Sequence, residues 1–296
     1  MALSAMTNFD FSLENKDLYQ AWRDKKLKNY PVRIEQLTTS ITNALAPEPE
    51  AIQTLRDTVN TYNFALYRFE DARVGKPEVH RLAQALGLKQ IHANLCADAD
   101  SLTSIEMTQH EGQHDYIPYT DKKLSWHTDG YYHAPKEAIH GMLLHCVRPA
   151  YNGGMTKLMD HEIAYILLRE ANPAYITALL HPQAFTIPAN VLNGEVIRPA
   201  QTGAVLSIGQ TGRLHMRYSA RQRNVEWRND AMTQAAADFL LSLWEQETPY
   251  HLHYTLQAGE GLVCNNVLHC RSAFVDATEP DRKRLLYRGR YLDRIN

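Results

Sequence analysis

Trp126-His127-Thr128-Asp129-Gly130 is the stretch on which the reading of this chain turns. Successive side chains of a β-strand point to opposite faces, so His127 and Asp129, two residues apart, share one face. An imidazole nitrogen and a carboxylate oxygen side by side offer two ligands to a metal ion. A second histidine arriving from a remote strand would complete a set of two His and one carboxylate on one flank of the ion. Such a set leaves the opposite positions open and suits non-haem Fe(II).

Working outward, the sequence from Leu124 onward reads as short strands. Gly141 to Val147 is a continuous apolar run closed by Pro149, the pattern of a buried strand. Asn152-Gly153-Gly154 is a turn signal, and Thr156 to Met159 follows as another strand. Asp160 and Asn172-Pro173 announce helices. Ala231 to Glu247 is rich in good helix formers. Tyr250 to Leu256 alternates like a strand, Ala258-Gly259-Glu260-Gly261 is a turn, and Arg284 to Tyr291 again looks β. Upstream, residues 10–30 suggest a polar helix anchored by Leu18, Trp22 and Leu27. Ala51 to Val59 and His80 to Leu88 suggest two more helices, with a strand at Phe64 to Phe69 between them. Short strands interrupted by helices, with a metal pair on one of them, predict a mainly β chain with helical insertions (α+β) and a jelly-roll core. The expected organisation is one domain over 1–296, with residues 1–110 packed on a core formed by 111–296.

Composition sets outer limits. The chain has 296 residues, 44% hydrophobic and 22% charged, which is ordinary for a globular domain. Its 31 basic and 33 acidic residues give a net charge of −2, which argues against a nucleic-acid partner. Cys96, Cys146, Cys264 and Cys270 form neither a CxxC pair nor a disulfide framework. No apolar stretch reaches membrane-spanning length, and the N-terminus lacks a signal-peptide pattern. The expectation is a cytoplasmic protein acting on a small molecule, with no membrane partner and with the homo-oligomeric state left open.

An His-x-Asp triplet is weak evidence by itself. Its weight comes from what accompanies it. Asn266-Val267-Leu268-His269-Cys270-Arg271 offers the remote histidine, and Arg282, Arg284, Arg288 and Arg290 follow. Together, Trp126-His127-Thr128-Asp129, Gly153-Gly154-x-Thr156, Ala258-Gly259, Asn266-Val267-Leu268-His269-x-Arg271 and Arg284-x-x-x-Arg288 resemble the taurine dioxygenase-like branch of the Fe(II)/2-oxoglutarate oxygenases, which includes γ-butyrobetaine hydroxylase. The resemblance covers roughly residues 110–292 in the family's order. It implies a double-stranded β-helix and a dioxygenase using Fe(II), 2-oxoglutarate and O2, with succinate and CO2 as co-products. It implies His127, Asp129 and His269 as metal ligands. Thr156 and Arg284 are implied for the co-substrate, and Arg288 for a substrate anion. A guanidinium fork fits a carboxylate bidentately and stays charged in a closed site, in agreement with the assignment of Arg284.

Other residues remain candidates. Tyr131 and Tyr132 follow the iron pair and, by the resemblance, border the substrate; packing under a lid is the alternative. Arg217 lies in a basic cluster that either lines the pocket mouth or is a solvated edge. Tyr131, Tyr132 and Trp227 leave room for an aromatic cage around a quaternary ammonium. The Cys/His cluster of γ-butyrobetaine hydroxylases is lacking, which speaks against a betaine. The substrate class expected is a small polar metabolite, anionic or amino-acid/betaine-like, hydroxylated at an unactivated carbon. A cupin-type metal-binding protein without oxygen chemistry and a 2-oxoglutarate sensor without turnover are the alternatives. His251-Leu252-His253 is a rival metal pair, expected to face outward.

Overall fold

The computed structural model describes residues 11–92, 101–107, 117–192 and 194–296. Strands outnumber helices among them. Two compact units are present, one drawn from Met1–Tyr30, His161–Arg217 and Gln222–Tyr250, the other from Pro31–Asp160, Tyr218–Arg221 and His251–Asn296.

Besides the short pairing of Asn152–Gly153 with Phe274–Val275, the second unit carries two main sheets. Their strands are β1 (Thr38–Ile41), β2 (Phe64–Phe69), β3 (Thr103–Ile105), β4 (Leu124–His127), β5 (Gly141–Arg148), β6 (Thr156–Met159), β7 (Leu252–Tyr254), β8 (Glu260–Cys264), β9 (Leu268–Arg271) and β10 (Leu285–Tyr291). The larger sheet has the order β1-β2-β8-β5-β10-β3, the smaller β7-β6-β9-β4. Only the β1–β2 pair among these is parallel. β5 pairs on both sides, with β8 and β10, and is buried from Gly141 to Cys146. A strand covered on both faces needs no polar alternation, which explains its unbroken apolar run.

One face of the larger sheet lies under the helices Pro49–Tyr62 and Lys76–Ala85. Ile52, Leu55 and Val59, at helical spacing, join Val79 and Leu82 over Ala65, Tyr67, Leu143 and Val263. Pro49 opens the first of these helices, and Asn63 closes it in the left-handed conformation, φ 63°. The opposite face of β10 carries Leu286, Arg288 and Arg290 by strand alternation. Residues 1–110 therefore do not simply pack outside a later core, because β1, β2 and β3 are strands of the main sheet. The apolar run at Phe64–Phe69 is long enough to read as a strand, but its partners, β1 and the distant β8, leave no local trace.

The first unit holds the helices Lys16–Lys28, His161–Ala171, Pro173–Leu180 and Ala231–Glu245, with short strand pairs. Asn172 and Asp230 cap the last two, accepting from the Ala174 and Thr233 amides. The Lys16–Lys28 helix departs from its expected anchors. Tyr19, Trp22 and Lys26 are buried, while Leu18 is 44% exposed. Lys26 is tolerated inside because its ammonium meets the Glu162 carboxylate at 2.5 Å.

Candidate metal centre

The centre lies in the second unit, where the smaller sheet gathers three of the predicted residues. β9 runs antiparallel between β6 and β4, with His269 opposite His127 on one side and Leu158 on the other. Opposed residues share a face, so both imidazoles point the same way. Their ring centroids are 4.3 Å apart. The β9–β4 register slips by one residue between His269 and Arg271, so Ser125 and Trp126 together face Cys270. Such a bulge re-aims a strand end, here the end that carries His127.

Asp129 follows directly, outside the strand. Its backbone is held by Asn266, itself in the left-handed region at φ 50°. The Asp129 amide donates to Asn266 Oδ1 at 2.8 Å, and Asn266 Nδ2 donates to the Asp129 and Ile139 carbonyls at 2.9 and 2.6 Å. Gly130 lets the chain turn away at φ 69°, and a Cβ there would lie 2.4 Å from Ile139 Cγ1. The Trp-His-Thr-Asp-Gly motif thus ends in glycine for a steric reason.

His127, Asp129 and His269 offer ligand atoms that all lie within 4.8 Å of one another. His127 Nδ1 is 2.9 Å from the Ser125 carbonyl, and His269 Nδ1 is 2.9 Å from the Val267 carbonyl. A carbonyl can only accept, so each Nδ1 carries a proton, which leaves Nε2 as the nitrogen turned to the other ligands. His127 Nε2 is 3.6 Å from Asp129 Oδ1, and Asp129 Oδ2 is buried without a hydrogen-bond partner among the described residues. Burial lowers the pKa of His269 to about 4, with His127 adding to the shift, so its imidazole is neutral at pH 7. Burial pushes the Asp129 carboxyl upward. Arg288, then His127 and Arg290, outweigh it and hold the group well below the usual range, as an anion. Two imidazoles and one buried carboxylate fit a ferrous ion bound on one flank.

The basic residues come from the larger sheet and the turn before it. Arg288 Nη1 lies 3.5 Å from Asp129 Oδ1. Arg290 Nη1 donates to the Tyr132 hydroxyl at 2.8 Å. Arg288 Nε, Arg290 Nε and Arg290 Nη2 are buried with no hydrogen-bond partner among the described residues. Arg284 is 5% exposed, and its guanidinium lies 5.0 Å from the centre of the Phe274 ring. Its side chain reaches the Gly-Gly-x-Thr stretch, since a Cβ on Gly154 would lie 3.7 Å from Arg284 Nε. Thr156 stands opposite Arg271 on β9, on the face that His269 shares.

Arg271 and Tyr131 also border this region. Arg271 donates to the Thr120 and Lys122 carbonyls at 2.8 and 2.6 Å, fastening the segment that leads into β4. The ring of Tyr131 meets that of His127 edge-on at 6.3 Å.

Arg217 and Trp227 lie in the first unit. Arg217 donates to the Phe185 and Gln201 carbonyls at 3.1 and 2.8 Å. Burial, and then Arg198, lower its pKa to about 10. Trp227 packs on Phe185 with ring centroids 4.9 Å apart. Of the rival pair, His253 is exposed, but His251 is buried against Trp126 rather than facing outward.

Two contributors were not singled out from the sequence. Asn266 stood in a motif without a role. Arg290 keeps the even spacing of Arg284 and Arg288, the signal that could have flagged it.

The family model for "Taurine catabolism dioxygenase TauD, TfdA family" matches residues 23–290. A uridine-5'-phosphate dioxygenase from Amycolatopsis sp is 33% identical over 178 residues, 57% of this chain and 60% of that protein. The match therefore spans less than two thirds of that relative. A second uridine-5'-phosphate dioxygenase, from Streptomyces sp, is 28% identical over 245 residues, 78% of this chain and 86% of that protein. Among solved structures, an asparagine oxygenase in complex with Fe(II), 3-hydroxyasparagine and succinate aligns with a TM-score of 0.58 at 14% identity. That alignment covers 86% of this chain and 93% of the other. The non-heme iron oxygenase OrfP with Fe and alpha-ketoglutaric acid aligns at 0.57 and 16% identity, covering 88% and 84%. No helix among the described residues is long and apolar enough to cross a membrane. The chain belongs to the TauD/TfdA family of dioxygenases, enzymes that work with Fe(II), 2-oxoglutarate and O2.

Proposed function

We propose that this dioxygenase hydroxylates a C–H bond of a small phosphate-bearing metabolite of the nucleoside 5'-monophosphate class. Uridine 5'-phosphate, named for two relatives, is the first compound to test. The observation that carries the reading is the pair of buried arginines, Arg288 and Arg290, ranged on one face of β10 beside a single metal-binding carboxylate.

In this reading the two sheets form the double-stranded β-helix of the family, and His127, Asp129 and His269 hold the metal from one flank. Ferrous iron with 2-oxoglutarate and O2 supplies oxidation of the C–H bond, the co-substrate leaving as succinate and CO2. Arg284 holds the distal carboxylate of 2-oxoglutarate, with Thr156 as a second donor. Arg288 and Arg290 hold the phosphate. A dianion accepts several charge-assisted hydrogen bonds at once, and two guanidinium groups can supply them where one would leave charge unpaired. Tyr132 orients Arg290, and Tyr131 walls the space beside His127. The reading uses no contact from Arg217, whose terminal nitrogens donate to the Phe185 and Gln201 carbonyls.

Succinate release from 2-oxoglutarate under Fe(II), ascorbate and oxygen tests the reading. Uridine 5'-phosphate should stimulate release and uridine should not. Equal stimulation by uridine, or stimulation by asparagine or arginine in place of the nucleotide, would overturn it.

A further inference from the structure

A second group with metal-binding chemistry lies in the same unit, outside the triad. His92, His133 and Glu137 each offer one ligand atom, and these atoms lie within 4.8 Å of one another. The rings of His92 and His133 are 4.3 Å apart, centroid to centroid, and tilted by 47°. His127 and His269 stand at 4.3 Å and 49°. The second pair therefore repeats the ring arrangement of the first.

Short local structure places each residue. The His92 amide donates to the Arg290 carbonyl at 2.7 Å, which fixes His92 beside β10. The His133 amide donates to the Gly130 carbonyl at 2.8 Å, closing the turn that follows Asp129. Glu137 ends the single helical turn Pro135–Glu137. His92 Nδ1 is buried with no hydrogen-bond partner among the described residues. Burial, and then Arg290, lower the His92 pKa, while Glu137 opposes the shift. Glu137 lies partly at the surface, which leaves a fourth position open to water.

We propose that His92, His133 and Glu137 form a second divalent-cation site, distinct from the His127–Asp129–His269 triad and suited to a borderline ion of the Zn(II) class. Two imidazoles and one carboxylate are the donors such an ion takes, with water completing its shell. The Glu137 carboxylate offsets the nearby Arg290 charge. An ion here ties the turn carrying Tyr131 and Tyr132 to the end of β10. Because Tyr132 accepts from Arg290, the site steadies one arm of the anion clamp.

The test uses the full chain with His127→Ala and His269→Ala together, which disables the first site. Co(II) absorption reports coordination, and equilibrium dialysis with Zn(II) reports affinity. The double variant should still bind a stoichiometric ion. Adding His92→Ala or Glu137→Gln should weaken that binding by more than about tenfold. Glu137→Gln is isosteric at a position partly at the surface, so the variant keeps the fold, which circular dichroism verifies. Failure of the double variant to bind an ion, or an affinity that either added substitution leaves unchanged, would overturn the proposal.

Discussion

Asp129 is held twice, through its side chain by charge and through its backbone by Asn266. The backbone half is open to a direct test. Asn266→Ala removes three hydrogen bonds and leaves a buried amide and two buried carbonyls without partners. The expected loss is about 2–3 kcal/mol of stability, together with weaker Fe(II) binding, readable by urea denaturation and metal titration. A variant that keeps wild-type iron affinity would show that Asp129 needs no such brace. Arg290 supports a second prediction at this scale. Arg290→Met should raise the KM for a phosphate-bearing substrate while the KM for 2-oxoglutarate stays within about twofold, because only the former interaction is removed. Equal rises in both would place Arg290 on the co-substrate. Arg284, Arg288 and the His127–Asp129–His269 group were picked out through the resemblance to the family's motifs, and the structure brings the last three ligand atoms within 4.8 Å and sets Arg288 beside Asp129. Asn266 was not, because its task depends on a left-handed backbone that brings it across to Asp129.

At the scale of elements, strands and helices were legible wherever one segment carries its own pattern. Gly141–Arg148, Leu285–Tyr291 and the capped helices are of that kind. Pairing between remote segments was not, which is why β1 to β3 were expected outside the core they belong to. The helix over the larger sheet is held by its apolar stripe. Leu55→Ala should cost about 2–5 kcal/mol in thermal or urea unfolding. The ligand triad lies on other elements, so spectra of the folded variant with metal should be unchanged. Glu260 on β8 gives a pH prediction. Burial would raise its pKa, but the Gln257 amide, Arg68 and Tyr254 together lower it below the ordinary value. A carboxylate with a depressed folded pKa contributes stability above its unfolded pKa, and that contribution fades as pH falls through the folded one. Glu260→Gln should therefore be less stable than wild type at neutral pH, with the difference shrinking in acid. A difference that grows on acidification would contradict this account.

For the molecule as a whole, two sheets supply complementary chemistry to one place. The smaller, with the turn after β4, brings His127, Asp129 and His269 together. The larger gives buried cations that need anions to face them. In the proposed function neither set works alone, since the arginines orient the organic partners of the iron. The family was legible because the motif pieces keep their order along the chain. The proposed substrate class was not, because it rests on how buried charge from β10 is arranged around Asp129. The most direct test of the central claim is the visible charge-transfer absorption that Fe(II) and 2-oxoglutarate give together without oxygen. The wild-type protein should develop the band, and His127→Ala and His269→Ala should each lose it while remaining folded. A band of undiminished strength in both variants would contradict the account, since these side chains could not then be holding the metal.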